Sequence, residues 1–240
     1  MSLRINGSDI ISLDPNAYVV DALYFMRRNN VRRLVVSNVN GIIGVFTIEN
    51  AIKQIMENKL EVKLGELKLR KPVFVENNNI KDIVRAMVNE NSDFVIYNKR
   101  IIITEKDVVR NFDWNSIKEN VKNISKEAIV VFPYTKISTC IEAMLKNSIR
   151  HLPVVSDIPL GIISARDIAY SYDTITINTN AEKIMNVNLV SVGEESELVD
   201  IVRLMNERSV GSVLIKTGLK NKVKIITNRD LIKLIFNYIS

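Results

Sequence analysis

A β-rich run, Ala128 to Phe132, stops at Pro133, which reads as one short strand. Beyond it Ile137, Cys140, Ile141, Met144 and Leu145 recur at the three- and four-residue spacing of a single helix face. Two short apolar runs follow, Leu152 to Val155 and Gly161 to Ile163, with Asp157-Ile158-Pro159 turning the chain between them. A second helix begins just after Ser164. The predicted order is strand, helix, strand, strand, helix. The end of the chain repeats it through Leu189 to Val192, Leu198 to Met205, Val213 to Ile215, Val223 to Ile226 and Arg229 to Phe236.

The junction between the last strand and the second helix carries a short motif that reveals two further units. It reads Gly44-Val-Phe-Thr47-Ile-Glu49-Asn50, Ile101-Ile-Ile-Thr104-Glu-Lys106-Asp107, Gly161-Ile-Ile-Ser164-Ala-Arg166-Asp167 and Lys224-Ile-Ile-Thr227-Asn-Arg229-Asp230. The hydroxyl residues Thr47, Thr104, Ser164 and Thr227 stand 57, 60 and 63 residues apart, so the 240-residue chain holds four units. Units one and three share a glycine at the first motif position and carry Val31-Arg-Arg-Leu34 or Ile149-Arg-His-Leu152 before the second strand, whereas units two and four share neither. The larger period is therefore a pair. It divides the chain near residue 117, in the polar stretch Asn115 to Asn123, into 1–117 (repeats about 1–58 and 59–117) and 118–240 (repeats about 118–176 and 177–240). One such unit buries too little apolar surface to stand comfortably alone, and two packed sheet to sheet make a folding domain. The expected fold class is α+β, four βαββα repeats in two pseudo-symmetric pairs.

The composition, 47% hydrophobic and 25% charged, is that of a globular chain with a substantial core. The N-terminal MSLRINGSDI has neither a basic leader nor a long apolar segment, and no apolar run reaches the length of a membrane span, so a cytoplasmic location without membrane contact is expected. The single cysteine, Cys140, lies on the apolar helix face and reads as a small buried hydrophobe. With one histidine, one cysteine and no HxxH or CxxC pattern, no metal site is expected. A GxSxG elbow, a P-loop and a histidine–cysteine pairing are all missing, so no catalytic residue, no catalytic cofactor and no enzyme activity are expected. The net charge of +6 arises from 33 basic and 27 acidic residues spread along the chain, compatible with phosphate ligands, nucleic acid or a solvated lysine-rich surface.

A hydroxyl followed three residues later by an acid is also a capping box, in which both side chains satisfy orphan N–H groups at a helix start. Capping alone accounts for Thr47, Thr104, Ser164 and Thr227. It does not account for Lys106, Arg166 and Arg229 between hydroxyl and acid, since a helix N-terminus favours acids there. Cation beside carboxylate suggests a bound anion attached to a polyol, with the base neutralising phosphate and the carboxylate accepting hydrogen bonds from ribose hydroxyls. The first unit replaces base and acid together, by Glu49 and Asn50, while keeping Thr47. Joint loss is what service to one ligand predicts.

These motifs, with Lys183-Ile-Met-Asn-Val-Asn-Leu-Val-Ser-Val192 and His151-Leu-Pro-Val-Val155, resemble those of the CBS-domain family, named after the module in cystathionine β-synthase, with four copies covering essentially the whole chain. The resemblance implies a sensor of adenosine-containing ligands, AMP, ADP and ATP foremost and S-adenosylmethionine or NAD less often, bound in clefts between paired repeats. By the same resemblance Asp107, Asp167 and Asp230 hold ribose; Thr104, Lys106, Ser164, Arg166, Thr227 and Arg229 hold phosphate; and adenine lies against the opening strands at Pro72 and Val73, Ala128 and Ile129, Leu189 and Val190. His151 and Arg150, and Arg33 in the first repeat, are placed to face a phosphate, a packed or solvated structural role for His151 being the alternative. The second half, with Asp167 and Asp230, is expected to offer two competent sites, and the first half one at Asp107 and a doubtful one at Asn50. Trp114 is expected to pack rather than stack a base. Stacked pairs imply an intrachain disc or a homodimer, with an effector protein yet to be named. The competing readings are a nucleic-acid-binding module, against which stand the 6% aromatic content and the lack of a recognition helix, zinc finger or RNA motif, and a regulatory subunit of a separate enzyme or transporter.

Overall fold

Apolar alternation on either side of a polar turn folds into hairpins, and the apolar stripes between them fold into helices that cover one sheet face. The computed structural model describes residues 3–217 and 222–239. A leading strand β1 (Ser8–Asp9) precedes the first repeat, which consists of β2 (Ser12–Leu13), α1 (Val19–Asn29), β3 (Arg33–Asn38), β4 (Gly41–Thr47) and α2 (Ile48–Met56). The second comprises β5 (Phe74–Val75), α3 (Ile80–Asn89), β6 (Phe94–Tyr97), β7 (Ile101–Thr104) and α4 (Glu105–Asn111), followed by the short helix α5 (Val121–Ile124). The third holds β8 (Lys126–Glu127), α6 (Ile137–Asn147), β9 (His151–Val155), β10 (Pro159–Ser164) and α7 (Ala165–Tyr170). The fourth holds β11 (Ser191–Gly193), α8 (Leu198–Glu207), β12 (Ser212–Lys216), β13 (Val223–Thr227) and α9 (Asn228–Ile239). The expected α+β alternation thus occurs four times. Among the described residues no helix is long and apolar enough to cross a membrane.

Each first helix ends in the same way. The residue that reverses the chain into the hairpin is left-handed in all four repeats: Asn30 (φ 52°), Asn91 (φ 46°), Ser148 (φ 52°) and Ser209 (φ 53°). The hairpins then pair antiparallel, β3 with β4, β6 with β7, β9 with β10 and β12 with β13. The opening strand lies parallel to the first hairpin strand, as β5 does beside β6 and β11 beside β12. On the other side of the hairpin a further segment crosses the motif strand: β1 pairs with β7, β8 pairs with β13, Arg70 bridges Val45 and Asn186 bridges Ile162.

The expected opening strand of the third repeat is displaced. The ladder pairs Lys126 and Glu127 with β13, while Ala128 to Phe132 is irregular apart from a single parallel bridge from Val131 to Val154. Branched side chains made that run look like strand, but backbone partners decide the matter, and beyond Ala128 the segment leaves its neighbour.

The compact units do not follow the expected boundary near residue 117. One unit consists of Met1–Ile10, Val73–Ala128 and Leu189–Ser240, the other of Ile11–Pro72 and Ile129–Asn188. The physical reason is helix packing. In the second unit α2 lies against α6 and α7, and α1 against α7, so that Leu23, Met26 and Ile52 share a core with Cys140, Ile141 and Ile168. In the first unit α3 and α4 pack on α9, and Ile83 and Val109 share a core with Ile201, Leu231 and Ile235. The first repeat is thus united with the third and the second with the fourth. Cys140 is fully buried, as expected, and Trp114 is a core residue whose Nε1–H donates to the Val109 carbonyl at 2.8 Å.

Candidate functional site

Thr47, Thr104, Ser164 and Thr227 end the motif strands β4, β7, β10 and β13 and begin the helices that follow. The third helical residue sits back over the cap, where its side chain meets the cap's N–H. Asp107 Oδ2 accepts the Thr104 N–H at 2.8 Å and its hydroxyl at 2.7 Å. Asp167 Oδ2 accepts the Ser164 N–H at 2.8 Å and hydroxyl at 2.6 Å, and Asp230 Oδ2 does the same for Thr227 at 2.8 and 2.6 Å. Asn50 reproduces the pattern through Oδ1 at 3.1 Å for both, the longer contact expected when the acceptor is uncharged. Capping is therefore present in all four repeats, and it occupies one oxygen only.

The second oxygen distinguishes the three acids. Asp230 Oδ1 is taken by the Lys126 ammonium, reaching from β8, at 2.8 Å. The carboxylates of Asp107 and Asp167 accept no third hydrogen bond from the described residues.

The bases between hydroxyl and acid have diverged in use. Arg166 is exposed at the start of α7, and Lys106 is half-buried. Arg229 Nε lies 3.4 Å from Oε1 of Glu105, the buried first residue of α4. In the other unit Arg150 Nε donates to Glu49 Oε1 at 2.6 Å, joining the third repeat to the first. Burial opposes the Glu49 charge, but Arg150's charge and hydrogen bonds from Thr47 and Arg150 outweigh it, holding the carboxyl at about 2. Glu49 is thus more than a lost base: its charge is used by Arg150, a pairing that no local pattern announced.

Hairpin register decides what faces each hydroxyl. Arg33 lies opposite Thr47, Phe94 opposite Thr104, His151 opposite Ser164 and Ser212 opposite Thr227. Burial, followed by the charges of Arg32, Arg150 and Arg166, pushes the His151 imidazole down to about 3 and keeps it neutral. His151 lies opposite the Ser164 cap with Arg150 and Arg166 near it, and Arg32 joins them from the first repeat.

The residues expected against adenine are placed less uniformly. The Ala128 N–H donates to the Val223 carbonyl at 2.9 Å, which continues β8 alongside β13 and sets Ala128 in the sheet of Asp230 instead of that of Asp167. Val73 and Val190 accept from the N–H groups of Ile96 and Leu214, which puts them beside β6 and β12, one strand removed from the motif strands of their own repeats. Pro72 and Leu189 are half-buried, and Ile129 is exposed. The neighbour of β7, and hence of Asp107, is the leading segment: Ser8 and Asp9 pair with Ile102 and Ile101, and the Ile10 N–H donates to the Arg100 carbonyl at 2.8 Å. That segment is polar and short, so hydrophobic patterning passed it over.

The same crossings explain the alternating glycine. A Cβ on Gly161 would stand 2.8 Å from Met185 Sδ and 3.0 Å from the Asn186 carbonyl oxygen, and one on Gly44 would stand 2.6 Å from Leu69 Cβ. In the first and third repeats the crossing chain passes over the motif strand at that point, whereas β1 and β8 pair edge to edge with Ile101 and Lys224 and leave room for side chains.

The CBS-domain family model matches residues 4–57, 121–173 and 181–237, and the chain belongs to that family. The matches fall on the first, third and fourth repeats. In sequence the chain is 25% identical over 268 residues to the uncharacterized protein MJ1225 of Methanocaldococcus jannaschii, covering 93% of this chain and 94% of that one. It is 26% identical over 165 residues to MJ1232 of the same organism, covering 65% and 54%. The crystal structure of MJ1225, proposed to be an archaeal homologue of g-AMPK, superposes with a TM-score of 0.82 at 20% identity over 97% of this chain and 100% of that one. An uncharacterized conserved protein of Pyrococcus horikoshii follows with a TM-score of 0.63 at 18% identity, covering 98% and 100%. These superpositions establish a shared fold.

Proposed function

We propose that this CBS-domain protein is a non-catalytic regulatory sensor of adenosine-containing nucleotides, AMP, ADP or ATP. One observation carries the reading: Asp167 is anchored through Oδ2 on Ser164 while Oδ1 accepts no bond from the described residues, and Arg166, Arg150 and a neutral His151 surround the same helix start. A carboxylate so held presents an acceptor to a ribose diol, and the guanidiniums answer the phosphate charge. Asp107 offers a second such acceptor, and Asp230 a third once Lys126 moves aside. The shared fold with MJ1225, proposed to be a g-AMPK homologue, supports a regulatory role. Ligand regulates only in so far as it binds one arrangement of the protein better than another.

A melting screen against AMP, ADP, ATP, S-adenosylmethionine, NAD and GTP tests the proposal. A ligand at 100 times its dissociation constant stabilises by about 2.7 kcal/mol. Stabilisation by adenine nucleotides, reduced in Asp167→Asn and retained in Asn50→Ala, is the expected result. Equal shifts with guanine nucleotides, or none with any adenylate, refute it. Binding to oligonucleotides that collapses steeply with salt would instead favour a nucleic-acid module.

A further inference from the structure

Each motif strand is crossed at its second position by a segment from elsewhere in the chain. Ser8 pairs with Ile102 and Lys126 with Ile225, while Arg70 bridges Val45 and Asn186 bridges Ile162. The four crossing residues are equivalent along the chain as well. Ser8, Arg70, Lys126 and Asn186 each stand two residues before the chain passes from one compact unit to the other, which it does after Ile10, Pro72, Ala128 and Asn188. One position is thus set four times beside a helix start, and its occupant differs each time.

What the crossing segment does to the helix start divides the repeats two and two. In the fourth, the Lys126 ammonium takes Asp230 Oδ1 at 2.8 Å while Oδ2 holds the Thr227 cap, so both carboxylate oxygens are engaged. In the first, Asn50 stands in place of the acid: Oδ1 holds the Thr47 cap, and Nδ2 donates to the Lys68 carbonyl of the crossing segment at 3.2 Å. In the second and third the crossing residue is short and neutral. Asn186 turns its side-chain carbonyl to the Asn188 N–H at 2.9 Å, and neither it nor Ser8 is a partner of the acid in its repeat.

The two closures differ in kind. In the first repeat, breaking the contact to Lys68 uncovers an amide and no charged acceptor. In the fourth, the contact is an ion pair whose cation is a flexible side chain, 49% exposed, on a carboxylate that is 12% exposed. Water can receive the ammonium as it leaves, and the carboxylate it uncovers is anchored as Asp107 and Asp167 are.

We infer that Lys126 is an internal competitor for the helix start of the fourth repeat: it closes the Asp230 site, and a ligand diol enters only by displacing its ammonium. The crossing position thereby decides which helix starts are open as the protein stands, those of the second and third repeats, and which opens only by exchange. This rests on the sensor reading above and adds the regulation of one of its sites. Because the site is competent only in the fraction of molecules whose ammonium has moved off, its apparent affinity is lowered by that fraction. For an ion pair with one half-exposed partner the reduction is about fivefold.

Adenosine is the probe, since it carries the diol and no phosphate through which a lost lysine charge could act. Calorimetric titration of the full chain carrying Asp107→Asn and Asp167→Asn, which keep the cap in the form Asn50 already makes, isolates the fourth repeat. Adding Lys126→Ser, the residue that β1 carries at the same position, is expected to tighten adenosine about fivefold. Lys126→Arg retains the cation and is expected to give no gain, and Asp230→Asn added to Lys126→Ser is expected to abolish the gain. The same substitutions in the otherwise unaltered chain serve if the double-Asn background fails to fold, the gain then being read as further adenosine bound per chain. An affinity that Lys126→Ser leaves unchanged or lowers, or a gain that survives Asp230→Asn, overturns the competitor and leaves the sensor reading in place. Failure of adenosine and AMP alike to bind the unaltered chain overturns both.

Discussion

Replacing Glu49 by Gln removes the charge that links the first repeat to the third, and the loss can be sized from the structure. Glu49 lies at about 2 in the fold against 4.5 for the free group, a difference equivalent to at most about 3.4 kcal/mol. The Glu49 side chain is 37% exposed and Arg150 14%, so solvent screens part of it and about 1–2 kcal/mol is the expected cost at neutral pH. For a chain of this length that lowers the melting temperature by about 2–8 °C. The pH dependence identifies the cause. Because the folded value is depressed, the stabilisation is fully present above 4.5 and is lost as pH falls towards 2. The stability gap between wild type and Glu49→Gln, read from urea unfolding at each pH, should be constant above about pH 6 and shrink by more than half at about pH 3. A gap that stays level between pH 6 and 3 refutes the ion pair as the link.

Asp167→Ala removes an acceptor of two hydrogen bonds and should cost about 1–2 kcal/mol in unfolding experiments without ligand, whereas Asp167→Asn should cost well under half of that. Equal losses would show that the amide does not cap. Gly161→Ala drives a methyl group into Met185 and the Asn186 carbonyl and should destabilise by about 1–3 kcal/mol, while the same change at Gly41, whose added Cβ meets nothing within 4 Å, costs only its left-handed strain at φ 121°. Thermal melts of the two variants make the comparison. Ser209→Gly relieves a left-handed serine at φ 53° and should raise stability by a few tenths to about 1 kcal/mol, an outcome that a neutral or lower melting point would contradict. The imidazole of His151 should remain neutral down to about pH 4, and an NMR titration centred near 6.5 would mean that it does not sit among the three arginines.

What the sequence made legible is what depends on neighbours along the chain. The helix face of Ile137, Cys140, Ile141 and Met144, the hairpins and the caps at Thr47, Thr104, Ser164 and Thr227 all depend on spacings of a few residues, and they appear where the periodicity put them. The pairing of repeats depends on which helix stripe meets which, and all four stripes are apolar, so adjacency in sequence was the only guide available. It led to 1–117 and 118–240, whereas helix contacts unite the first repeat with the third. The segments crossing the motif strands were hidden for a related reason. Ser8, Asp9, Lys126 and Glu127 are polar edge residues held by backbone hydrogen bonds, and a hydrophobic pattern has nothing to register there.

The likeness of odd repeats to each other, visible as a shared glycine and a shared basic pair, has two separate physical origins that coincide in one unit. Gly44 and Gly161 are required because a crossing segment leaves no room for a side chain, a constraint of backbone geometry indifferent to charge. The basic residues Arg32, Arg33, Arg150 and His151 satisfy no such constraint, since Asp93, Phe94, Gly211 and Ser212 occupy the matching positions at and just before the hairpin strands of the other unit and the hairpins form there too. Glu49 answers Arg150 at 2.6 Å, a pairing of charges that backbone geometry does not require. What the basic residues do share is an electrostatic effect: with burial, the charges of Arg32, Arg150 and Arg166 hold His151 neutral. The glycines are thus required by backbone geometry, and the basic residues are not.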